Sequence, residues 1–219
     1  MVLFSRVGSG QTSYLVATEH LFTKATVEFN LPFSLNLVGE AAGTAVGGGQ
    51  LYLASWTASG DRNLVALPGI GFGSVGGENA FGTATGWVEL DDGNRSAFYT
   101  SGSKTALLAG PNGSPSVGFG INDRNQVAGA WIDPKIEVET DHATVWTDGK
   151  PTDLGANALS TSIAVAINDS GEAIGVCEAN PGTNNGGPSR IPFTWQNGKV
   201  QYLPGLGGYL AEPTALNND

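Results

Sequence analysis

Short apolar runs fill this chain from end to end, broken every few residues by Gly, Asn, Asp or Ser. In "AVAINDSGEAIGV" (164–176) two small apolar runs flank Asn-Asp-Ser-Gly. That arrangement predicts two strands joined by a tight turn at Asp169, Ser170 and Gly171, with glycine at positive φ and the aspartate bonding its own backbone. "VGFGINDRNQVAGAW" (117–131) repeats the pattern, "PTALNND" (213–219) repeats its first half, and "GTATG" (82–86) and "GTAVG" (43–47) repeat its second. Asn168, Asp169 and Glu172 could be oxygen ligands for a cation, but Arg124 takes the place of Ser170 in the second copy and would repel one. They read as turn residues.

A second pattern alternates with the first: "LASWTASGDRNLVALPGIG" (53–71), "AFYTSGSKTALLAGPNG" (97–113), "ATVWTDGKPTDLGAN" (143–157) and "PFTWQNGKVQYLPGLGG" (192–208). Its aromatic markers Trp56, Tyr99, Trp146 and Trp195 lie 43, 47 and 49 residues apart. The glycines that end the first pattern, Gly47, Gly86, Gly129 and Gly175, lie 39, 43 and 46 apart. From aromatic to next glycine the count is 30, 30 and 29, whereas from glycine to next aromatic it grows from 9 through 13 and 17 to 20. One half of the unit is constant in length, as packed strands must be, and the other varies, as surface loops can. Asn197-Gly198, Asp148-Gly149 and Ser101-Gly102 mark hairpins inside the constant half. Each unit of 40–49 residues then holds four short antiparallel strands, the content of one propeller blade.

The first 42 residues diverge but fit the frame: a step of 39 back from Gly47 lands on Gly8, which ends "VLFSRV". "YLVAT", "KATVEFNL" and "FSLNLV" supply further strands. The expectation is an all-β, five-bladed β-propeller of four-stranded antiparallel blades, forming one domain over residues 1–219. Residues 1–42 are a divergent first unit and 43–219 the clear repeats. Two cuts of the ring remain open: "VLFSRV" completes the last blade, or each blade begins with its Gly-ended strand. The Ala and Gly of "GTAVG" and "GTATG" hint at a crowded inner position.

Composition narrows the function. A net charge of −10 disfavours a nucleic-acid backbone as partner. No apolar run approaches the roughly 20 residues of a membrane span. Cys177 is the single cysteine, so neither an intrachain disulfide nor a cysteine metal cluster forms. "MVLFSRVGSG" lacks the basic start and long apolar stretch of a signal peptide. No Gly-x-Ser-x-Gly elbow is present, "GIGFGSVGG" (69–77) lacks the Lys-Ser/Thr of a phosphate loop, and His20 and His142 have no metal-site spacing.

"AVAINDSGEAIG", "HATVWTDGKPTDLG" and "PFTWQNGKVQYLPGLGG" resemble HAF repeats, named for a His-Ala-Phe triplet. His142-Ala143-Thr144, Ser96-Ala97-Phe98 and Ile191-Pro192-Phe193 stand at the triplet position. The resemblance covers about residues 43–219. It implies a repeat architecture and a secreted or cell-surface protein, and it implies no particular activity.

The loops that follow the Gly-ended strands should share one face. Three are long and acidic: "WVELDDGNRS", "WIDPKIEVETD" and "CEANPGTNNGGPSR". They hold Glu89, Asp91, Asp92, Asp133, Glu137, Glu139, Asp141 and Glu178, with Lys135 and Arg190 offsetting them, while Asp61, Glu78 and Asp153 lie elsewhere. Trp87 and Trp131 each open one of these loops, and an indole there stacks well on a sugar ring while carboxylates, Asn184 and Asn185 meet its hydroxyls. The expected function is a non-catalytic, lectin-like module binding a glycan or another extracellular ligand through Trp87, Asp91, Asp92, Trp131, Asp133, Glu137, Glu139, Asp141, Asn184 and Asn185. Graded loop lengths favour one asymmetric site over five equal ones. A hydrolase using Asp91 with Asp133 or Glu137, and a surface protein without a small ligand, are the alternatives. No cofactor is expected, calcium being the one ion the acidic loops could take, and oligomeric state stays open.

Overall fold

The computed structural model describes residues 2–7, 11–16, 27–36, 38–57, 62–134, 140–156, 161–179, 189–204 and 210–218. Strands β1 (Val2–Val7) and β2 (Gln11–Val16) pair as a hairpin. Four antiparallel meanders follow. The first is β3 (Val27–Leu35), β4 (Ala41–Gly47), β5 (Gln50–Trp56) and β6 (Arg62–Ala66). The second is β7 (Gly73–Glu78), β8 (Ala84–Glu89), β9 (Arg95–Ser101) and β10 (Lys104–Leu108). The third is β11 (Ser116–Ile121), β12 (Val127–Asp133), β13 (Thr140–Thr147) and β14 (Lys150–Asp153). The fourth is β15 (Ser162–Ile167), β16 (Ala173–Ala179), β17 (Ser189–Gln196) and β18 (Lys199–Tyr202).

The chain is therefore all-β and built from repeated four-stranded antiparallel sheets, as the spacing predicted. The described residues hold four such sheets and one hairpin, not five sheets, and these are not closed into a ring. The sheet boundary falls in the connection after the fourth strand, where neither cut of the repeat placed it. The tight Asn turn forces its two flanking strands to pair, so it cannot join two sheets. "KATVEFNL" and "FSLNLV" are not two strands: β3 runs through both from Val27. "PTALN" forms no strand.

Register also moves two of the markers. Gly86, Gly129 and Gly175 pair with Phe98, Thr144 and Phe193, and the equivalent in the first sheet is Gly43, paired with Ala54, not Gly47. Trp56, Trp146 and Trp195 pair with Ala41, Val127 and Ala173, and the position in the second sheet belongs to Thr100, not Tyr99. Trp146 is fully buried and its indole N–H donates to the Ala109 carbonyl at 2.9 Å. The hairpins at Asp148-Gly149 and Asn197-Gly198 have positive φ at both residues, as their sequences required.

Each sheet carries a bulge between its first and second strands, at Val75/Gly77, Gly118/Gly120 and Ala164/Ala166, with two in the first sheet, at Val27/Phe29 and Pro32/Ser34. The bulge turns the first strand toward the next sheet. A Cβ on Gly76 would strike the Phe119 backbone, and one on Gly120 would lie 3.0 Å from Ala166 Cα. The strands crowded against neighbouring sheets are thus the first ones, β7, β11 and β15. The crowding at Gly86 is against the Ser74 carbonyl of its own sheet, so the Gly-ended strand is not the inner one.

Apolar side chains fill the spaces between sheets. Leu51, Leu53, Val65, Val75, Val88 and Phe98 lie between the first and second sheets. Ala97, Leu108, Val127 and Trp146 lie between the second and third. Val145, Leu154, Ile167 and Phe193 lie between the third and fourth.

A polar series runs beside this core. Asn36, Asn79, Asn122 and Asn168 are buried at the first turn of each sheet. Each Oδ1 accepts two N–H groups of its own turn; for Asn122 these come from Arg124 at 3.0 Å and Gln126 at 2.9 Å. Each Nδ2 donates to the carbonyl of the next asparagine, Asn36 to Asn79 (3.0 Å), Asn79 to Asn122 (3.0 Å), Asn122 to Asn168 (2.8 Å) and Asn168 to Asn217 (3.1 Å). The intervals are 43, 43, 46 and 49 residues. The next residue adds a second link: the N–H groups of Ala80, Asp123 and Asp169 donate to Oδ1 of Asp123, Asp169 and Asn218. The turn at 168–172 is a turn, then, but Asn168 closes it, while Asp169 takes an N–H from the neighbouring sheet.

Replacing Asn122 with alanine would orphan two turn N–H groups and cut one inter-sheet bond. The expected cost is about 2–4 kcal/mol in urea unfolding, against roughly 0.5 kcal/mol or less for Arg124→Ala, exposed on the same turn. Equal effects of the two would show that the asparagine series does not hold the sheets.

Candidate functional site

Antiparallel order sends every connection between second and third strands to one end of the sheets, opposite the Asn turns. These connections span 48–49, 90–94, 134–139 and 180–188. Glu137, Glu139, Asn184 and Asn185 lie outside the described residues. Asp91 is exposed. Asp92 is exposed too, and its carboxylate takes the N–H (2.9 Å) and side-chain amide (2.8 Å) of Asn94. Those bonds hold the Asp92 carboxyl below its usual range. It shapes the loop tip.

The two tryptophans are one residue out of register: Trp87 follows Gly86 directly, and Trp131 lies two beyond Gly129. That offset puts them on opposite faces of equivalent sheets, and so on facing walls of the space between the second and third sheets. Trp87 pairs with Ala97, whose N–H donates to Ser116 Oγ at 2.9 Å, and Ser116 is itself the cross-strand partner of Trp131. Trp87 is covered by the Arg95 guanidinium, 4.7 Å from its ring centre, a cation–π contact.

Trp131 carries the most developed cluster at this end. His142, its direct partner across β12 and β13, stacks on it with ring centres 4.2 Å apart and planes 11° from parallel. The indole N–H donates to Asp153 Oδ2 at 3.3 Å, and the same oxygen lies 3.4 Å from His142 Nδ1. Register explains the meeting: Asp153 pairs with Thr144, two residues along β13 from His142 and on the same face. Asp153 Oδ1 accepts the Gly155 N–H at 2.8 Å, which fixes the carboxylate. His142 Nε2 is buried and Nδ1 faces the Asp153 carboxylate, so the imidazole is held flat against the indole.

Of the remaining predicted residues, Asp133 shares the Trp131 face and Asp141 points to the other, since their strand partners are Thr140 and Ile132. Asp141 N–H donates to Thr161 Oγ1 at 2.9 Å. Arg190 bonds Glu178 at 3.2 Å and also Glu212, so it is tied to its own acids. Among the described residues no three His, Cys, Asp or Glu side chains are grouped to hold a metal. Trp87, Trp131 and Asp133 thus share one inter-sheet space, while Asp91, Asp92 and Asp141 stand apart from it. Sequence reasoning missed Asp153 and set His142 aside; the available signal was that the His-Ala-Thr triplet and the Asp-Leu-Gly loop are register partners.

No protein-family model matches this chain, and no curated protein matches it significantly.

The stack should be measurable as a coupling. In a double-mutant cycle of Trp131→Ala and His142→Ala, read by urea unfolding, the expected interaction is about 0.5–1.5 kcal/mol. Additive effects would mean the rings only happen to lie parallel.

Proposed function

We propose that this chain is a non-catalytic, lectin-like binding module whose sheets are the blades of a five-bladed ring of the HAF-repeat type. The ligand is a glycan held at the loop end between the second and third sheets. One observation carries the reading: Trp131 is clamped flat by His142 and Asp153 at the mouth of that space. A rigid indole beside a carboxylate suits a sugar, whose ring has an apolar face and a hydroxyl rim. Five units are supported by the asparagine series, since Asn217 supplies a fifth position after Asn36, Asn79, Asn122 and Asn168. Asymmetry supports a single site. The positions of Trp131, His142 and Asp153 are held by Ala45, Tyr52 and Leu64 in the first sheet, Val88, Ser96 and Leu107 in the second, and Cys177, Ile191 and Tyr202 in the fourth.

A glycan array of the intact protein, with and without calcium, tests this. The expected result is a specific hit independent of calcium and weakened about tenfold or more by Trp131→Ala. A hit that needs calcium and ignores Trp131 would move the site to the acidic loop tips. A blank array in both buffers would overturn the reading.

A further inference from the structure

The first link of the asparagine series differs from the others in its proton count. A carboxamide nitrogen carries two hydrogens. Asn122 Nδ2 has two acceptors, Gln126 Oε1 and the Asn168 carbonyl, and Asn79 Nδ2 also has two, the Asn122 carbonyl and Asn125 Oδ1. Asn36 Nδ2 faces three: the Asn79 carbonyl at 3.0 Å, Glu40 Oε2 at 3.1 Å and Glu78 Oε2 at 3.4 Å. The two hydrogens cannot give each of the three acceptors its own linear bond, and two of these are carboxylates from adjacent sheets. A proton on Glu78 removes the like charge and leaves the Glu40 carboxylate and the Asn79 carbonyl, the two nearer acceptors, to the two hydrogens.

Glu78 is also out of pattern. The residue before the asparagine is Leu35, Ile121, Ile167 and Leu216 in the other units. Here it is a carboxyl only 8% exposed, at the join between β3 and β7, with its N–H donating to Ser34 Oγ at 3.1 Å. We propose that Glu78 holds a proton beside Glu40 at the joint between the first and second sheets, and that loss of this proton to solvent loosens the joint.

Among the described residues the surrounding elements offer no compensating cation. β4 and β11 carry no titratable residue, and Glu28 and Glu89 lie at the far ends of β3 and β8. On the next turn, Asp123 accepts the Ala80 N–H and Arg124 is exposed. Burial first, then the Glu40 charge, push the Glu78 carboxyl up from 4.5 to about 7. Its folded value exceeds its unfolded one, so the stabilisation is full below 4.5 and is lost as pH rises through about 7.

Hydrogen exchange of the intact protein, corrected for intrinsic rates and followed from about pH 5 to about pH 8, reads this directly. In the wild type, opening of segments 34–40 and 78–83 should rise about tenfold or more over that range, with β15–β18 unchanged. Glu78→Gln supplies a permanent N–H donor and should abolish the rise. Should that variant fail to fold, Glu40→Gln makes the same comparison by removing the like charge, and the rise should shift or shrink. A flat wild-type profile, a rise common to the whole chain, or the same rise in the variant that folds would overturn the proposal.

Discussion

The fold depends on one side chain doing two jobs at once. At each first turn the asparagine carbonyl oxygen closes its own loop while the amide nitrogen reaches the next sheet. Only a carboxamide combines acceptor and donor at this reach; aspartate would present acceptors alone to a neighbouring carbonyl. The turn must also be tight. Three residues after the asparagine the backbone enters the left-handed region, at Gly39, Gly82, Asn125 and Gly171. Glycine or asparagine is required there because other side chains are strained at such φ. The series therefore constrains the turn sequence and ties each sheet to the next.

Close approach of the first strands follows from the same geometry. With the turns locked together, β7, β11 and β15 converge at their bulges, and there is no room for side chains at Gly76 and Gly120. The largest apolar side chains come from the middle strands, where Phe98, Trp146 and Phe193 are fully buried. Glycine on the second strand makes room for those rings: a Cβ at Gly175 would meet Phe193, and one at Gly129 would lie 3.0 Å from Trp146. The alternation of Gly-rich and aromatic segments along the chain is thus one packing solution repeated.

That alternation is why strands, hairpins and the repeat are legible in the sequence. Periodicity reports which residues are buried and where turns fall, and both recur. It does not report register. Gly47 stood in for Gly43 because the first unit has several glycines in a row, and Tyr99 stood in for Thr100 because an aromatic was expected there. "LNLVGEAAG" matches "INDSGEAIG" at its Asn, Gly and Glu, but Leu and Val replace the polar turn residues that made the other copies visible. The site was less legible still. Trp131 was found by its place before a loop, but Asp153 lies 22 residues away and meets it only through the pairing of three strands. The hydrogen bonds between sheets left no trace in hydrophobic pattern at all, since an asparagine in a turn has sufficient local reason to be there.

The two ends of the sheets stand under different constraints, and the proposed site lies at the less constrained one. At the Asn-turn end each side chain is tied to the next unit, so a change propagates across a joint. At the opposite end the connections lengthen from unit to unit without disturbing pairing, and equivalent positions range from Ala45 through Val88 and Cys177 to Trp131. Packing does not demand an indole at that position, because three other sheets do without one. Nor does it demand the imidazole that flattens that indole or the carboxylate that orients it. The proposed site rests on this cluster of three mutually supporting side chains, confined to one unit and set where the fold tolerates variation.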